Sequence, residues 1–187
     1  MLKIIRAKNT DFAITMKLFR RVIAALNEED NHDYDRFPDE AYFRKAMEDG
    51  RLYILKEAGR VYSFAVISHN VESVLFPMSM SISKATDVLE AIGCGDEAIV
   101  TIGVFVVDPA YWGKGYGYKM LSFLESNNPR TTFLMAMPIG NARALHFFEK
   151  HDYRNYGPIP KIETANAEPS LLVAKRFMRR GLASFPF

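Results

Sequence analysis

Trp112-Gly113-Lys114-Gly115-Tyr116-Gly117 is the stretch whose residue types and spacing point most directly to chemistry. Glycines at alternate positions permit positive φ and let the main chain approach a ligand closely. The segment follows an apolar run, Ala98 to Val107, and leads into an amphipathic run, Gly115 to Ser126. The N–H groups of Gly113, Lys114, Gly115 and Gly117 would then converge at a helix N-terminus, where the dipole adds positive potential. That is a device for holding phosphate. It is not the dinucleotide fingerprint, whose spacing is G-x-G-x-x-G, nor a Walker loop, which needs Gly-Lys-Ser/Thr. On the residues alone, a helix-opening turn with glycines for tight packing is the competing explanation.

The other chemistry-bearing residues exclude more than they offer. Cys94 is the only cysteine, so an internal disulfide and multi-cysteine metal sites are ruled out. His146 and His151 lack a third ligand, and no metal is expected. Glu28 to Asp49 carries nine acidic and three basic residues, a net of −6. That patch suits a cationic partner, and equally a solvated face. Lys175, Arg176, Arg179 and Arg180 make a basic tail, read as solvated. With 24 Lys and Arg against 22 Asp and Glu, the charge is too even for a nucleic-acid binder. No apolar run approaches the ~20 residues of a membrane span. Met1 to Arg6 reads as a strand and not as a secretory signal, so a cytoplasmic setting is expected.

These residues need a scaffold, and 187 residues with 49% hydrophobic content can supply one. The whole chain, 1–187, reads as a single domain with 176–187 as a tail. Leu2 to Ala7 is a strand. Thr10 is the expected cap of a helix whose apolar stripe is Phe12, Met16, Phe19, Ile23 and Leu26. Val22 widens that stripe, while Ile14 and Leu18 lie off it. Asp39 to Met47 is a second helix. Arg51 to Glu57 and Val61 to Ser68 form a hairpin around Ala58-Gly59-Arg60. His69 to Glu97 holds a short helix, Ser83 to Ile92, and with Phe76, Met78 and Met80 suits a lid or a packing segment. Ala98 to Val107 is a strand buried on both faces, with Gly103 marking a bulge or a close approach. Gly115 to Ser126 and Asn141 to Lys150 are helices; Thr131 to Met137, Tyr153 to Ile159 and Ser170 to Arg176 are strands. The order β-α-α-β-β-(loop)-β-α-β-α-β-β predicts an α/β domain with a mixed sheet.

The segment from Val104 to Leu124 resembles the acyl-CoA-binding segment of the GNAT superfamily of N-acetyltransferases. That family's pattern is Gln/Arg-x-x-Gly-x-Gly/Ala; Gly115 and Gly117 match its glycines, and Trp112 stands at the Gln/Arg position. Asn141 to Tyr153 is similar to the family's Asn-x-x-Ala-x-x-x-Tyr-x-x-x-Gly-Phe segment. The resemblance implies an α+β fold with a mostly antiparallel sheet and helices on both faces. It implies acetyl-CoA as co-substrate, with the pantetheine arm along Phe105, Val106 and Val107. The diphosphate would lie on Trp112, Gly113, Lys114, Gly115, Tyr116 and Gly117, with Tyr118 and Asn141 adjacent. Trp112 would contribute only its main-chain N–H.

By the same resemblance, a primary amine of a small molecule or peptide, cationic if the acidic patch steers it, attacks the thioester directly. A homodimer is possible on the same ground. Two departures bear on catalysis. Phe148 stands where the family has its leaving-group acid, so Tyr153, Tyr156, water or no acid at all fills that role. Thr101 stands where some members carry a glutamate, so Glu97 is the first candidate base, ahead of Asp96, Glu72 and His69. The rival reading is an acyl-CoA-binding module without turnover.

Overall fold

The computed structural model describes residues 1–30, 38–69, 89–90, 93–94, 98–158 and 170–176. Seven strands, β1 (Lys3–Arg6), β2 (Leu52–Glu57), β3 (Arg60–Ser68), β4 (Ala98–Val107), β5 (Thr131–Pro138), β6 (Arg154–Pro158) and β7 (Ser170–Lys175), form one sheet. Its order is β1-β2-β3-β4-β5-β7-β6. Every pair is antiparallel except β4 with β5. Among the described residues, four helices of a full turn or more cover it: α1 (Phe12–Asp30), α2 (Glu40–Glu48), α3 (Tyr116–Asn127) and α4 (Ala142–Glu149). This is the expected mixed, mostly antiparallel architecture. Of the expected short helix, only residues 89 and 90 are helical among the described residues. Of the lid segment, His69, Gly93 and Cys94 are also described, and the rest lies outside the described residues.

The two faces of the sheet bury separate cores. On one, Leu18, Phe19 and Val22 of α1 and Phe43, Ala46 and Met47 of α2 pack on Ile54, Phe64, Val66, Val104 and Val106. Phe43 sets its ring edge-on to Phe19 at 4.8 Å and to Phe64 at 5.9 Å, a favourable quadrupole geometry. On the other, Met120, Leu121 and Leu124 of α3 and Phe148 of α4 cover Leu55, Ala65, Ile67, Val100, Ile102, Phe133 and Met135.

Helix α1 departs from expectation at its start and in its buried arc. Thr10 is not its cap. A 3-10 turn, Asn9–Asp11, precedes the helix, and the Asp11 carboxylate accepts from the Lys8 N–H at 3.0 Å. Asp11 wins that role because Lys56 Nζ of β2 donates to its other oxygen at 2.6 Å. Leu18, expected off the stripe, is 2% exposed, because the β2–β3 turn lies beside it and extends the buried arc beyond one stripe.

Strand β4 carries the irregularity that its glycine predicted. Val66 pairs with Val104 and Ile67 with Ile102, leaving Gly103 without a partner on β3. One extra residue flips the alternation of faces. Val100 and Ile102 therefore belong to the α3–α4 core, and Val104 and Val106 to the α1–α2 core. No helix among the described residues is long and apolar enough to cross a membrane.

Candidate active site

β4 and β5 pair only from Ala98–Thr131 to Thr101–Leu134. Beyond that point β4 stays with β3 as far as Val107, and β5 stays with β7 as far as Pro138. The strands thus enclose a wedge, closed at Thr101 and open at Val107. Main-chain direction along the wedge follows from two hydrogen bonds. Asp108 N–H donates to Tyr62 O at 2.8 Å, and Ser63 Oγ donates to Val106 O at 2.7 Å. Alternation then turns the polar groups of Val106 toward β3, and those of Phe105 and Val107 into the wedge. Val106, expected among the ligand-facing groups, is engaged with β3 instead. An extended ligand that pairs with β4 finds Phe105 and the N–H of Val107, whose carbonyl accepts from the Trp112 indole.

The glycine loop stands at the open end. Gly113 and Gly115 have φ of +72° and +82°, and a Cβ on either meets nothing within 4 Å. These two glycines are required by left-handed backbone. Gly117 is required by packing: its absent Cβ would lie 3.1 Å from the Phe147 ring. Two amides expected to bind a ligand are engaged within the loop. Trp112 N–H donates to Pro109 O, and Lys114 N–H to Tyr111 O, each at 3.2 Å, because the 3-10 turn Pro109–Tyr111 tightens the chain there. The first-turn amides of α3, on Tyr116, Gly117 and Tyr118, have no intrahelical acceptor. Gly115, at the N-cap, brings no side chain to satisfy them. An anion suits that position.

Cations and aromatic rings surround the loop. Tyr62 stacks on Tyr116 at 5.0 Å, and Tyr111 meets both rings edge-on. Arg60 and Lys114 lie over Tyr111, and Lys119 over Tyr116. Arg143 of α4 lies 4.2 Å over the Trp112 ring, while the indole Nε1 donates to Val107 O at 2.9 Å. A cation is thereby held on the residue that replaces the usual polar side chain. Beneath the loop, Asp108 is wholly buried, accepting from Arg21 at 2.6 Å, Arg60 at 3.3 Å and the Ala110 N–H at 3.2 Å.

The model of the acetyltransferase (GNAT) family covers residues 19–153. The chain belongs to the GNAT acetyltransferase family. Solved GNAT structures share its fold. A GNAT-family acetyltransferase from Streptococcus agalactiae 2603 superposes with a TM-score of 0.73 at 16% identity, covering 95% of this chain and 96% of that one. The ribosomal-protein-S18-alanine N-acetyltransferase from Escherichia coli gives 0.60 at 18% identity, covering 99% and 100%. A putative acetyltransferase from Salmonella typhimurium, solved with its cofactor acetyl-CoA, gives 0.62 at 15%, covering 98% of each chain. No curated protein matches the chain.

The catalytic candidates fare differently from the GNAT cofactor segment. Tyr153 is 2% exposed, and its hydroxyl donates to Glu125 Oε1 at 3.1 Å. Burial, reinforced by the Glu125 carboxylate, pushes that hydroxyl far above the usual phenol range. Its proton is thus committed to Glu125 in this structure. Phe148 is equally buried, edge-on to Phe105 at 5.4 Å. Thr101, also buried, donates to Ser68 O at 3.3 Å. Asn141 caps α4, accepting from Ala144 N–H at 3.0 Å. Glu97, Asp96 and Glu72 lie outside the described residues. Ala98, next to Glu97, opens β4 at its closed end, roughly 16 Å of strand from Gly103 at ~3.3 Å per residue.

Three carboxylates of the described part of the acidic patch are engaged. Asp39 caps α2 through the Tyr42 N–H, Glu40 binds Arg20, and Asp49 binds Lys45 at 2.8 Å and Arg51 at 3.1 Å. Residues 31–37 lie outside the described ones. Tyr62, Arg60, Tyr111 and Arg143 did not stand out in the sequence, since each gains its meaning from a partner distant along the chain.

Proposed function

We propose that this protein is an N-acetyltransferase that transfers the acetyl group of acetyl-CoA to a primary amine of a small molecule or peptide. The observation that carries the reading is the β4–β5 wedge with the Gly113–Gly115 loop at its open end. The main chain of Phe105 and Val107 would pair with the pantetheine arm. The first-turn amides of α3, with Lys114 and Arg143 nearby, would hold the diphosphate. Tyr116, Tyr118 and Asn141 would border the same mouth. The strand spacing supports this arrangement: Val107 to Gly103 spans about 13 Å, which leads an extended arm from the loop to the apex of the wedge.

In direct attack, the amine nitrogen bonds to the thioester carbon and the C–S bond breaks. The protein aligns the two reactants, and an acceptor ammonium must first lose a proton. A lysine-like amine has a pKa of ~10.4 and the leaving thiol ~8.5, so base assistance matters more than acid assistance. Glu97 remains the first base to test. Glu97→Gln with an unchanged pH–rate profile removes it from the reaction. A cytoplasmic setting and a homodimer belong to the same reading; a lone cysteine is compatible with the first.

The buried Phe148 and Tyr153 favour one alternative, an acyl-CoA-binding module without turnover. Calorimetric titration with CoA and thiol release from acetyl-CoA over a panel of primary amines separate the two. Binding with release on at least one amine is the expected result. Binding without release on any amine supports the module, and absence of binding at millimolar CoA overturns both.

A further inference from the structure

Gly103 needs to be glycine for a reason outside its own backbone. Its φ is not among the left-handed ones. A Cβ built on it would instead meet the Tyr42 hydroxyl at 2.7 Å, closer than real contacts allow. The β4 bulge and the Tyr42 side chain are thus fitted to each other across the α1–α2 face of the sheet. The fit is held from several directions. Tyr42 N–H donates to the Asp39 cap of α2 at 2.9 Å, and the ring sits edge-on to Phe43 at 5.4 Å. The Arg51 guanidinium lies close enough to oppose the upward pull of burial on the hydroxyl's pKa. Arg51 is clamped by Asp49 through Nε at 3.2 Å and a terminal nitrogen at 3.1 Å. Its carbonyl accepts from Ile67 N–H at 3.0 Å, beside the bulge.

The chemistry of this neighbour matters. A guanidinium only donates, so Arg51 does not take the Tyr42 O–H, which stays available to another acceptor. Burial favours the protonated hydroxyl, and Arg51 offsets this only in part, so the group holds its proton. The bulge is where β4 has just left β5, at the apex of the wedge. On the reading of that wedge as the acetyl-CoA slot, the thioester ends there.

We propose that Tyr42 is a catalytic residue: its hydroxyl, oriented by Arg51, donates a hydrogen bond to the thioester carbonyl oxygen as that oxygen gains charge. Attack of the amine moves the carbonyl π pair onto oxygen. Collapse re-forms C=O as the C–S bond breaks and the thiolate leaves with its pair. The acceptor nitrogen gives its proton to base or solvent, and Tyr42 keeps its proton throughout. The role is electrostatic, aimed at charge that exists only during the reaction. Arg51 is a positioning residue in this scheme.

The test compares wild type, Tyr42→Phe and Gly103→Ala, measuring Tm, calorimetric CoA affinity, and kcat and KM for acetyl-CoA with an amine that wild type accepts. Tyr42→Phe should lower kcat about 100-fold, the usual loss for one oxyanion donor. CoA affinity and KM for acetyl-CoA should stay within about twofold, because ground-state binding is untouched. Gly103→Ala should displace the hydroxyl and lower kcat similarly, and the double variant should be no worse than Gly103→Ala alone. A kcat for Tyr42→Phe within about twofold of wild type overturns the role of Tyr42 and leaves the acetyltransferase reading standing. Wild type that releases no thiol with any amine overturns both together. If Tyr42→Phe fails to fold, Gly103→Ala with a normal Tm and unchanged kcat overturns the role of Tyr42 by itself.

Discussion

The two ends of the wedge are built by different means. At the open end, main chain does the work: left-handed Gly113 and Gly115, the first amides of α3, and alternating groups of β4. Side chains there serve as buttresses, with Tyr62, Tyr111 and Tyr116 packed together and Asp108 buried beneath. At the apex, side chains carry the function and the main chain only makes room. Tyr42 reaches the bulge because Gly103 has no Cβ. A diphosphate is the same in every reaction of acetyl-CoA, so a local loop suffices to hold it. The apex must suit one acceptor and one transition state, which calls for residues drawn from distant segments.

The sharpest way to break this contrast is at Asp108, the buttress below the loop. Asp108→Asn leaves Arg21 and Arg60 without their shared carboxylate, though each remains about half exposed. Solvent softens the loss, and the expected cost is about 2–3 kcal/mol. For a chain of this size that lowers Tm by roughly 4–12 °C in a thermal melt. CoA affinity should fall with it, since the same carboxylate accepts from Ala110 N–H at the start of the loop. An unchanged Tm would mean that the loop stands without its buttress.

Next in size is Gly115→Val. At φ +82° a β-branched residue is strained by about 1–2 kcal/mol. The strain is relieved by distorting the amides that α3 presents, so CoA affinity should drop roughly tenfold by calorimetry. The same substitution should leave no mark on kcat at saturating acetyl-CoA, in contrast to Tyr42→Phe. Equal effects at both ends would erase the distinction between a holding end and a reacting end.

What could be read from the sequence follows the same division. The strand, the loop and α3 are contiguous from Ala98 to Asn127, so their order and the β4 bulge were legible from local patterns. So was Asp39 at the start of α2. The partner of Gly103 was not, because Tyr42 is brought to it by the packing of α2 on the sheet. Gly117 looked like its neighbours Gly113 and Gly115, yet its space is taken by Phe147 from another helix. Asp108 follows the expected strand and precedes Pro109, with nothing nearby in sequence to announce two arginines. Leu18 looked peripheral on a helical wheel, which knows nothing of the hairpin turn beside it. Tyr153 looked available until its hydroxyl was seen bound to Glu125.

Phe148→Tyr sharpens the account of the apex from its other face. The new hydroxyl would enter a site 2% exposed, between Phe105, Phe147 and Tyr153. Without an acceptor it costs about 1–2 kcal/mol. The expected result is a lower Tm with kcat unchanged, measured beside wild type. A rise in kcat would mean that leaving-group protonation limits the reaction and that the α4 side of the wedge is catalytic too.

The smallest effect is reserved for an ion pair remote from both ends, which calibrates the rest. Burial works to raise the Asp11 carboxyl, but the hydrogen bonds from Lys56 and the Lys8 N–H, with the lysine charges, bring it below the usual carboxylate range. A carboxyl lowered on folding adds stability above its unfolded pKa of ~3.9, and that stability is lost as pH falls through the folded value. Wild type should therefore exceed Asp11→Asn in Tm by a small, constant margin above about pH 5, corresponding to roughly 1 kcal/mol. The margin should shrink as pH drops below about 4, and CoA binding measured above pH 5 should not distinguish the two proteins. A margin that held its size into acid would mean that the pair contributes packing and hydrogen-bond geometry rather than charge.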